Sequence, residues 1–351
     1  KGRDPHADSV RMRRHAVERD IPCLTAIDTA NALANCLMSD YNLSNIELVD
    51  INDLRTTREK IHFYKMESTG NDFILINTEE NKVNNPASLA IKLCNRHDGI
   101  GADSMILVSE SKKADAAMHF YNKDGAEAKI AGNAIRAVAK YLYENNVFGV
   151  ADKHSRSDEP TAILDIETEA GVKKLTCYKM NGKINSVTVD MGKPKFKARN
   201  IPTVLSENAD EKVLNKKIVV DGKDYIVSCV NVGNPHCVTF VDFVDKIDIE
   251  KIGPMFENHK AFPERTNTEF VRVVGPNEIK LRTWERSNGE TPACGTGACA
   301  AVIAACLNGY CKMDSEVTVR VRGGILHVRY TGETVYLTGE TKLTYSGDIE
   351  V

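Results

Sequence analysis

The chain has 351 residues, 42% apolar and 27% charged, the mix of a soluble globular protein with room for two or three domains. A net charge of −3 argues against a polyanionic partner or an anionic membrane surface, so neither nucleic acid nor membrane is expected as a partner. No apolar run approaches the roughly 20 residues that span a bilayer, and the opening KGRDPHADSV, charged and lacking an initiator Met, carries no signal-peptide pattern and reads as a piece of something longer. The ten cysteines include no Cys-x-x-Cys pair, so no metal site is expected, and most should be small buried hydrophobes in a reducing cytoplasm.

Residues 1–57 stand apart. DSVRMRRHAVER (8–19) predicts a helix with a basic face, IPCLTAID (21–28) a buried strand, DTANALANCLMSD (28–40) a helix capped by Asp28 or Thr29, and IELVDINDL (46–54) a short strand. This run is part of an α/β layer too short to close a core alone, and the charged RTTREK (55–60) marks a boundary. From residue 61 strands dominate: IHFYKME, DFILIN and DSMILVS, with ASLAIKLCNR (87–96) helical between the last two, then AAMHFYN. GNAIRAVAKYLYENN (132–146) is a helix of about four turns. TAILDIETE, KLTCYKM, INSVTVDM, KIVVDG, YIVSCVNVG and CVTFVD follow as strands, and DKIDIEKIGPMFENH is partly helical. TEFVRVV and IKLRTWER lead to a second long helix, GTGACAAVIAACLNG (295–309), and SEVTVRVRG, GILHVRYTG and TVYLTGET close the pattern as strands. Strands, an Ala-rich helix and strands again, with a spacing of about 160 residues between the helices, suggest two similar halves.

The chemistry concentrates where those two helices begin. Ala131-Gly132-Asn133-Ala134 opens the first and Cys294-Gly295-Thr296-Gly297 the second, each a residue followed by Gly and a polar residue. A helix N-terminus offers unpaired N–H groups and a positive dipole end, and glycine lets a ligand approach, so two facing tips would hold a carboxylate. A thiol there becomes more acidic, which makes Cys294 a candidate base or nucleophile. Three readings compete for it: packing in a tight turn, a dinucleotide fingerprint in Gly295-x-Gly297-x-x-Ala300, or proton chemistry beside a bound carboxylate. The fingerprint is weak alone, and the strand before it is polar at its end.

Six stretches in order decide among them: STGNDFILIN (68–77), RHDGIGADSMILV (96–108), YNKDGAEAKIAGNAIR (121–136), NVGNPHCVTFVD (231–242), FPERTNTEFV (262–271) and TWERSNGETPACGTGACAA (283–301). Together they closely resemble diaminopimelate epimerase over residues 61–351. The resemblance implies an α+β fold of two pseudo-symmetric halves, each a curved, mostly antiparallel sheet wrapped around a central helix, here with a small N-terminal α/β appendage. The halves would span residues 61–182 and 183–341, with the last strand, 342–351, returning to the first half. It implies a cytoplasmic homodimer whose substrate is diaminopimelate. LL-diaminopimelate is inverted to the meso isomer, for lysine and peptidoglycan biosynthesis, by two thiols on opposite faces of one carbon, without pyridoxal phosphate, metal or other cofactor.

Carried over residue by residue, Cys294 matches one thiol, and the backbone N–H groups of Gly132, Asn133, Gly295 and Thr296 match those that grip the reacting carboxylate. Asn71 matches a substrate contact. Asn122, Asn234, Asn267 and Arg286 match the residues around the distal amino-carboxylate, with Glu285 beside the distal ammonium; the resemblance also places His236 and Glu285 close to the thiols. Taken singly, the asparagines would be turn formers, Glu285-Arg286 a surface pair and His236 a core histidine. The main departure is Ala131, in the slot of the second thiol, where no proton can be carried; Ala134 stands where glycine is usual, and Ser104 at a position that varies. An introduced substitution that traps substrate and a natural paralogue with altered activity both account for Ala131. The alternatives to an inactivated epimerase are a non-catalytic diaminopimelate-binding paralogue and another cofactor-free racemase or isomerase of the same fold. The stretch KGRDPHADSVRMRRHAVERDIPCLTAIDTANALANCL resembles the end of the methylglyoxal-synthase-like domain of large carbamoyl-phosphate synthase subunits, without its phosphate-binding parts.

Overall fold

Strand pairing in the computed structural model, described for residues 8–19, 21, 27–38, 60–128, 132–154 and 159–351, follows the alternation of apolar and polar residues and joins eighteen strands into one sheet. Residues 1–58 and 59–351 are separate compact units. The first contains α1 (Asp8–Glu18) and α2 (Ile27–Met38). α2 begins at Ile27, which places Asp28 and Thr29 inside its first turn rather than at its cap. Of the strand expected over 21–28, residues 22–26 lie outside the described residues, as does the strand expected over 46–54.

In the larger unit the first half carries β1 (Lys60–Ser68), β2 (Asn71–Asn77), β3 (Ser104–Ser109), β4 (Ala116–Asn122), β5 (Glu127–Ala128), β6 (Thr161–Thr168), β7 (Gly171–Met180) and β8 (Lys183–Gly192). The second carries β9 (Lys216–Val220), β10 (Lys223–Asn231), β11 (Pro235–Phe240), β12 (Asn267–Gly275), β13 (Glu278–Glu285), β14 (Gly289–Thr291), β15 (Glu316–Val321), β16 (Gly324–Tyr330) and β17 (Val335–Glu340). β18 (Lys342–Glu350) runs back to pair antiparallel with β1. Across the sheet the order is β18-β1-β2-β3-β4-β6-β7-β8-β17-β16-β15-β13-β12-β11-β10-β9, with β5 beside β4 and β14 beside β13. The parallel pairings are β2–β3 and β4–β6 in one half, β11–β12 and β13–β15 in the other. All the rest are antiparallel, so the two halves repeat one topology and meet at the β8–β17 seam.

Five helices accompany this sheet: α3 (Pro86–Cys94), α4 (Gly132–Glu144), α5 (Val150–His154), α6 (Ile249–Glu257) and α7 (Gly295–Leu307). α4 and α7 are the central helices of the two halves. The sequence of α7 is apolar on every side, which only a fully enclosed helix tolerates, and Ala298–Ala305 are all buried with no measurable exposure. Leu75 and Ile106 of β2 and β3 face α4 in one core, while Ile74, Ile76, Met105 and Leu107 face α3 in another. In the second half Val238 and Val271 face α7, and Cys237 and Phe270 face α6. α3 begins at Pro86, with the Asn85 side chain accepting from Ser88 N at 3.1 Å. α4 stops at Glu144, two residues short of the expected end, where Asn146 adopts φ +48°.

α6 braces the site end of β13. Trp284 Nε1 donates to Glu257 Oε2 at 2.8 Å, and Glu257 Oε1 accepts from Ser287 N at 3.0 Å. Gly253 is required here, because a Cβ would come within 2.3–2.6 Å of the Trp284 ring. Gly253→Ala is expected to lower stability by about 1–3 kcal/mol through overpacking, read from the urea midpoint. A second expectation comes from the thiols: the eight described cysteines are free and buried. Burial pushes Cys94, Cys177, Cys299 and Cys306 up to about 12. An unfolded thiol ionises near ~8.5, so the unfolded chain releases protons first and the folded state loses stability as pH rises from there toward 12. The urea midpoint should fall between pH 8 and pH 10.5; a midpoint unchanged over that range would contradict this assignment.

Candidate active site

The N-termini of α4 and α7 converge on one side chain of β17. A Cβ on Gly132 would sit 3.3 Å from Leu337 Cδ2, and one on Gly295 would sit 2.9 Å from the same atom and 3.4 Å from Asn133 Oδ1. A side chain at 295 would displace the end of Leu337, and one at 132 would press on it, so glycine at both tips lets the two turns close on the same leucine. Ala131, the slot of the expected second thiol, lies outside the described residues.

Cys294 is the N-cap residue of α7, with φ −114° and ψ 111°. Its Sγ accepts from Gly297 N at 3.3 Å and lies 3.4 Å from Thr296 Oγ1. The helix tip was expected to make this thiol more acidic. The structure reverses the sign: burial, together with the negative charges of Glu285 and Glu269, pushes the Cys294 thiol well up, and the donors on Thr296 and Gly297 only partly offset this. Desolvation and two carboxylates outweigh one helix end.

Glu269 is the residue that sequence reasoning missed. It sits on β12 two residues after Asn267, on the same face, and is fully buried. Its Oε1 lies 2.8 Å from His236 Nδ1, whose Nε2 lies 2.8 Å from Asn234 Oδ1. Nε2 donates to that carbonyl oxygen, so Nδ1 and Glu269 share one further proton. Burial raises the Glu269 carboxyl, with His236 pulling it back and Glu285 adding to the rise. Glu269 Oε2 has no hydrogen-bond partner among the described residues. A Cβ on Gly297 would come 2.8 Å from Glu269 Oε1, so the second glycine of the α7 turn admits this carboxylate. The available signal was an acid inside an otherwise buried strand, NTEFV.

On the α4 side, Asn133 Nδ2 donates to Asn71 Oδ1 at 2.5 Å, and Asn71 Nδ2 donates to Asp103 Oδ2 at 3.3 Å. Asp103 and Asp72 are held by Arg96, and Asp72 also by Lys65, with Asp72 lowered to about 2 against its burial by those two cations. Strand order gathers the rest: His236 stands opposite Asn267 across the parallel β11–β12 pair, and Asn267 Oδ1 accepts from Arg286 N at 2.7 Å where β13 ends. Arg286 Nη1 donates to the Glu264 carbonyl at 3.0 Å and has no carboxylate partner among the described residues. Glu285 Oε1 accepts from Thr291 Oγ1 at 2.5 Å. Asn122 ends β4 opposite Ser104 of β3, and its backbone bonds Ala126 and Gly125.

Comparison with known proteins agrees with this arrangement. The family model described as diaminopimelate epimerase matches residues 63–197 and 228–344. A diaminopimelate epimerase of Agathobacter rectalis is 43% identical over 295 residues, covering 82% of this chain and 99% of the relative. One from Methanococcus maripaludis is 40% identical over 291 residues, covering 82% and 99%. Among solved structures, a hydroxyproline epimerase from Agrobacterium vitis superposes with a TM-score of 0.59 at 16% identity, covering 84% of this chain and 93% of that one. A phenazine biosynthesis protein of the PhzF family from Bacillus anthracis gives 0.58 at 13% identity, covering 84% and 100%. The distant structures share the fold, and the stretches matched by the family model include both helix tips. On this evidence the chain belongs to the diaminopimelate epimerase family.

Proposed function

We propose that the site where α4 and α7 meet binds diaminopimelate and inverts its α-carbon between the LL and meso configurations, with Cys294 as one proton carrier and residue 131 as the position of the other. The observation that carries this reading is the approach of the two tips to Leu337, with Cys294 capping one of them. The N–H groups of Gly132, Asn133, Gly295 and Thr296, in the first turns where no intrahelical partner exists, would bind the carboxylate whose charge grows as the α-proton leaves. Each well-placed donor contributes about 3 kcal/mol to such a step. The distal amino-carboxylate would be held by Arg286, whose guanidinium has no carboxylate partner among the described residues, with Asn122, Asn234 and Asn267 around it and Glu285 toward the ammonium. A one-headed amino acid would leave these groups unpaired, which supports diaminopimelate over simpler substrates. His236 and Glu269 keep a proton close to Cys294.

Ala131 supports a reduced or absent turnover, because a methyl group transfers no proton. The same residue favours a second reading, a binding protein that keeps the site without catalysis. The family resemblance supports a homodimer and, for residues 1–57, a fused appendage without an active site of its own; no helix among the described residues is long and apolar enough to cross a membrane.

Two measurements test the assignment. Ala131→Cys should restore epimerisation by orders of magnitude; a restored protein that binds diaminopimelate yet stays inert would refute the two-thiol account. In the chain as it stands, Cys294 should exchange the α-proton of one isomer with deuterium from solvent. Because the thiol is held well above its ordinary value and only the thiolate removes a proton, the exchange rate should climb with pH through 9 and beyond. Exchange that persists in Cys294→Ser, or that ignores pH, removes Cys294 as the base.

A further inference from the structure

Arg136 stands four residues into α4, and its side chain is fully buried. A guanidinium is costly to bury unless an anion accompanies it. Yet every acceptor it reaches is neutral: Nε donates to Ser68 Oγ at 3.2 Å, Nη1 to the Gly132 carbonyl at 3.2 Å, and Nη2 to Thr69 Oγ1 at 3.0 Å and Asn133 Oδ1 at 2.9 Å. No carboxylate lies within ion-pair distance among the described residues. Glu67, the acid whose charge it feels, is engaged by Lys342 at 3.1 Å and by Gly70 N at 2.6 Å. The fold makes room for this charge, since a Cβ on Gly339 would meet Arg136 Cζ and Nη2 at 2.9 Å. Burial brings the guanidinium down to about 10, so it remains charged at neutral pH.

Two of its partners belong to the helix tip itself. The bond to Asn133 Oδ1 fixes which way that amide faces and turns Nδ2 toward Asn71. The bond to the Gly132 carbonyl ties the charge directly to the turn. We propose that the missing counter-ion of Arg136 is the substrate's carboxylate: the buried guanidinium is a positioning residue that stands uncompensated behind the α4 tip in the empty protein and is neutralised when an anion binds at the tip. This rests on the reading of the two tips as the carboxylate site.

The test supplies a counter-ion from within. Thr69 has φ +51°, a conformation that Asp adopts more readily than a β-branched residue, and its Oγ1 already accepts from Arg136. Thr69→Asp should therefore raise the melting temperature of the ligand-free protein while weakening diaminopimelate binding, measured calorimetrically, by on the order of 10- to 100-fold through lost charge attraction. Arg136→Gln should weaken binding to a similar degree, whereas Arg136→Lys, which keeps the charge, should stay within a few-fold of the parent. A purely structural role predicts the opposite for Thr69→Asp: higher stability with unchanged affinity, and that result overturns the proposal even if Arg136→Gln fails to fold. Equal losses in the Lys and Gln variants also overturn it. A parent chain that does not bind diaminopimelate at all defeats the functional reading as well, which separates the two failures.

Discussion

Where α4 and α7 meet, Leu337 fills the space that a side chain at residue 132 or 295 would need. Glycine at both positions lets the two helix N-termini close on that one side chain, and their closeness shapes the electrostatics. Two positive dipole ends brought this close repel each other, and Arg136 adds a whole charge behind one of them. The cost is borne by the rest of the sheet, whose two halves are joined through β8 and β17 and hold the tips in place. An anion between the tips would relieve that repulsion, which supports the proposed reading of the tips as a carboxylate site.

The strand ends supply the rest by the same repeated topology. In each half a parallel pair, β2–β3 or β11–β12, starts at the site and leaves polar residues at its origin: Asn71 and Asp103 in one, Asn234, His236 and Asn267 in the other. The outer helices keep these ends stiff. α6 does so through Trp284 and Glu257, which fasten the turn that carries Glu285 and Arg286. A site built from strand origins and helix tips moves little, and a proton-transfer site requires that rigidity, because small displacements of reacting atoms are costly.

Much of this was legible in the sequence. The two glycine turns, the Ala-rich helices and the strand alternation locate both halves, because burial imposes period and composition directly: α7 could be nothing but a central helix. Helix ends were off by a few residues where an αL residue such as Asn146 cut the helix short. What resisted reading was anything that depends on long-range neighbours. Glu269 gave only the faint sign of an acid in a buried strand, and its pairing with His236 comes from residues 33 apart in the chain. The acidity of Cys294 was misjudged for the same reason: the helix end is local and visible, but the burial of the thiol and the approach of Glu269 are properties of the folded sheet. Nothing in the sequence singles out Arg136 within its Ala-rich helix, and only the fold shows it buried with no carboxylate partner among the described residues.

Charge is divided unequally between the two halves. The α7 tip faces carboxyl groups, Glu269 and Glu285, which favour the proton remaining on Cys294. The α4 tip has the Arg136 guanidinium hydrogen-bonded to its first carbonyl, so negative charge is favoured there. Inversion at a carbon needs one partner with a proton to give and one able to take a proton at the same moment, and two identical environments would leave both thiols in the same state. A pseudo-symmetric fold with opposite charge at its two tips breaks that degeneracy. The half that carries the positive charge is also the half whose turn reads Ala131-Gly132; on the proposed reading a base would stand on that side, while Cys294 rests protonated and takes the α-proton of one isomer only as rising pH ionises it.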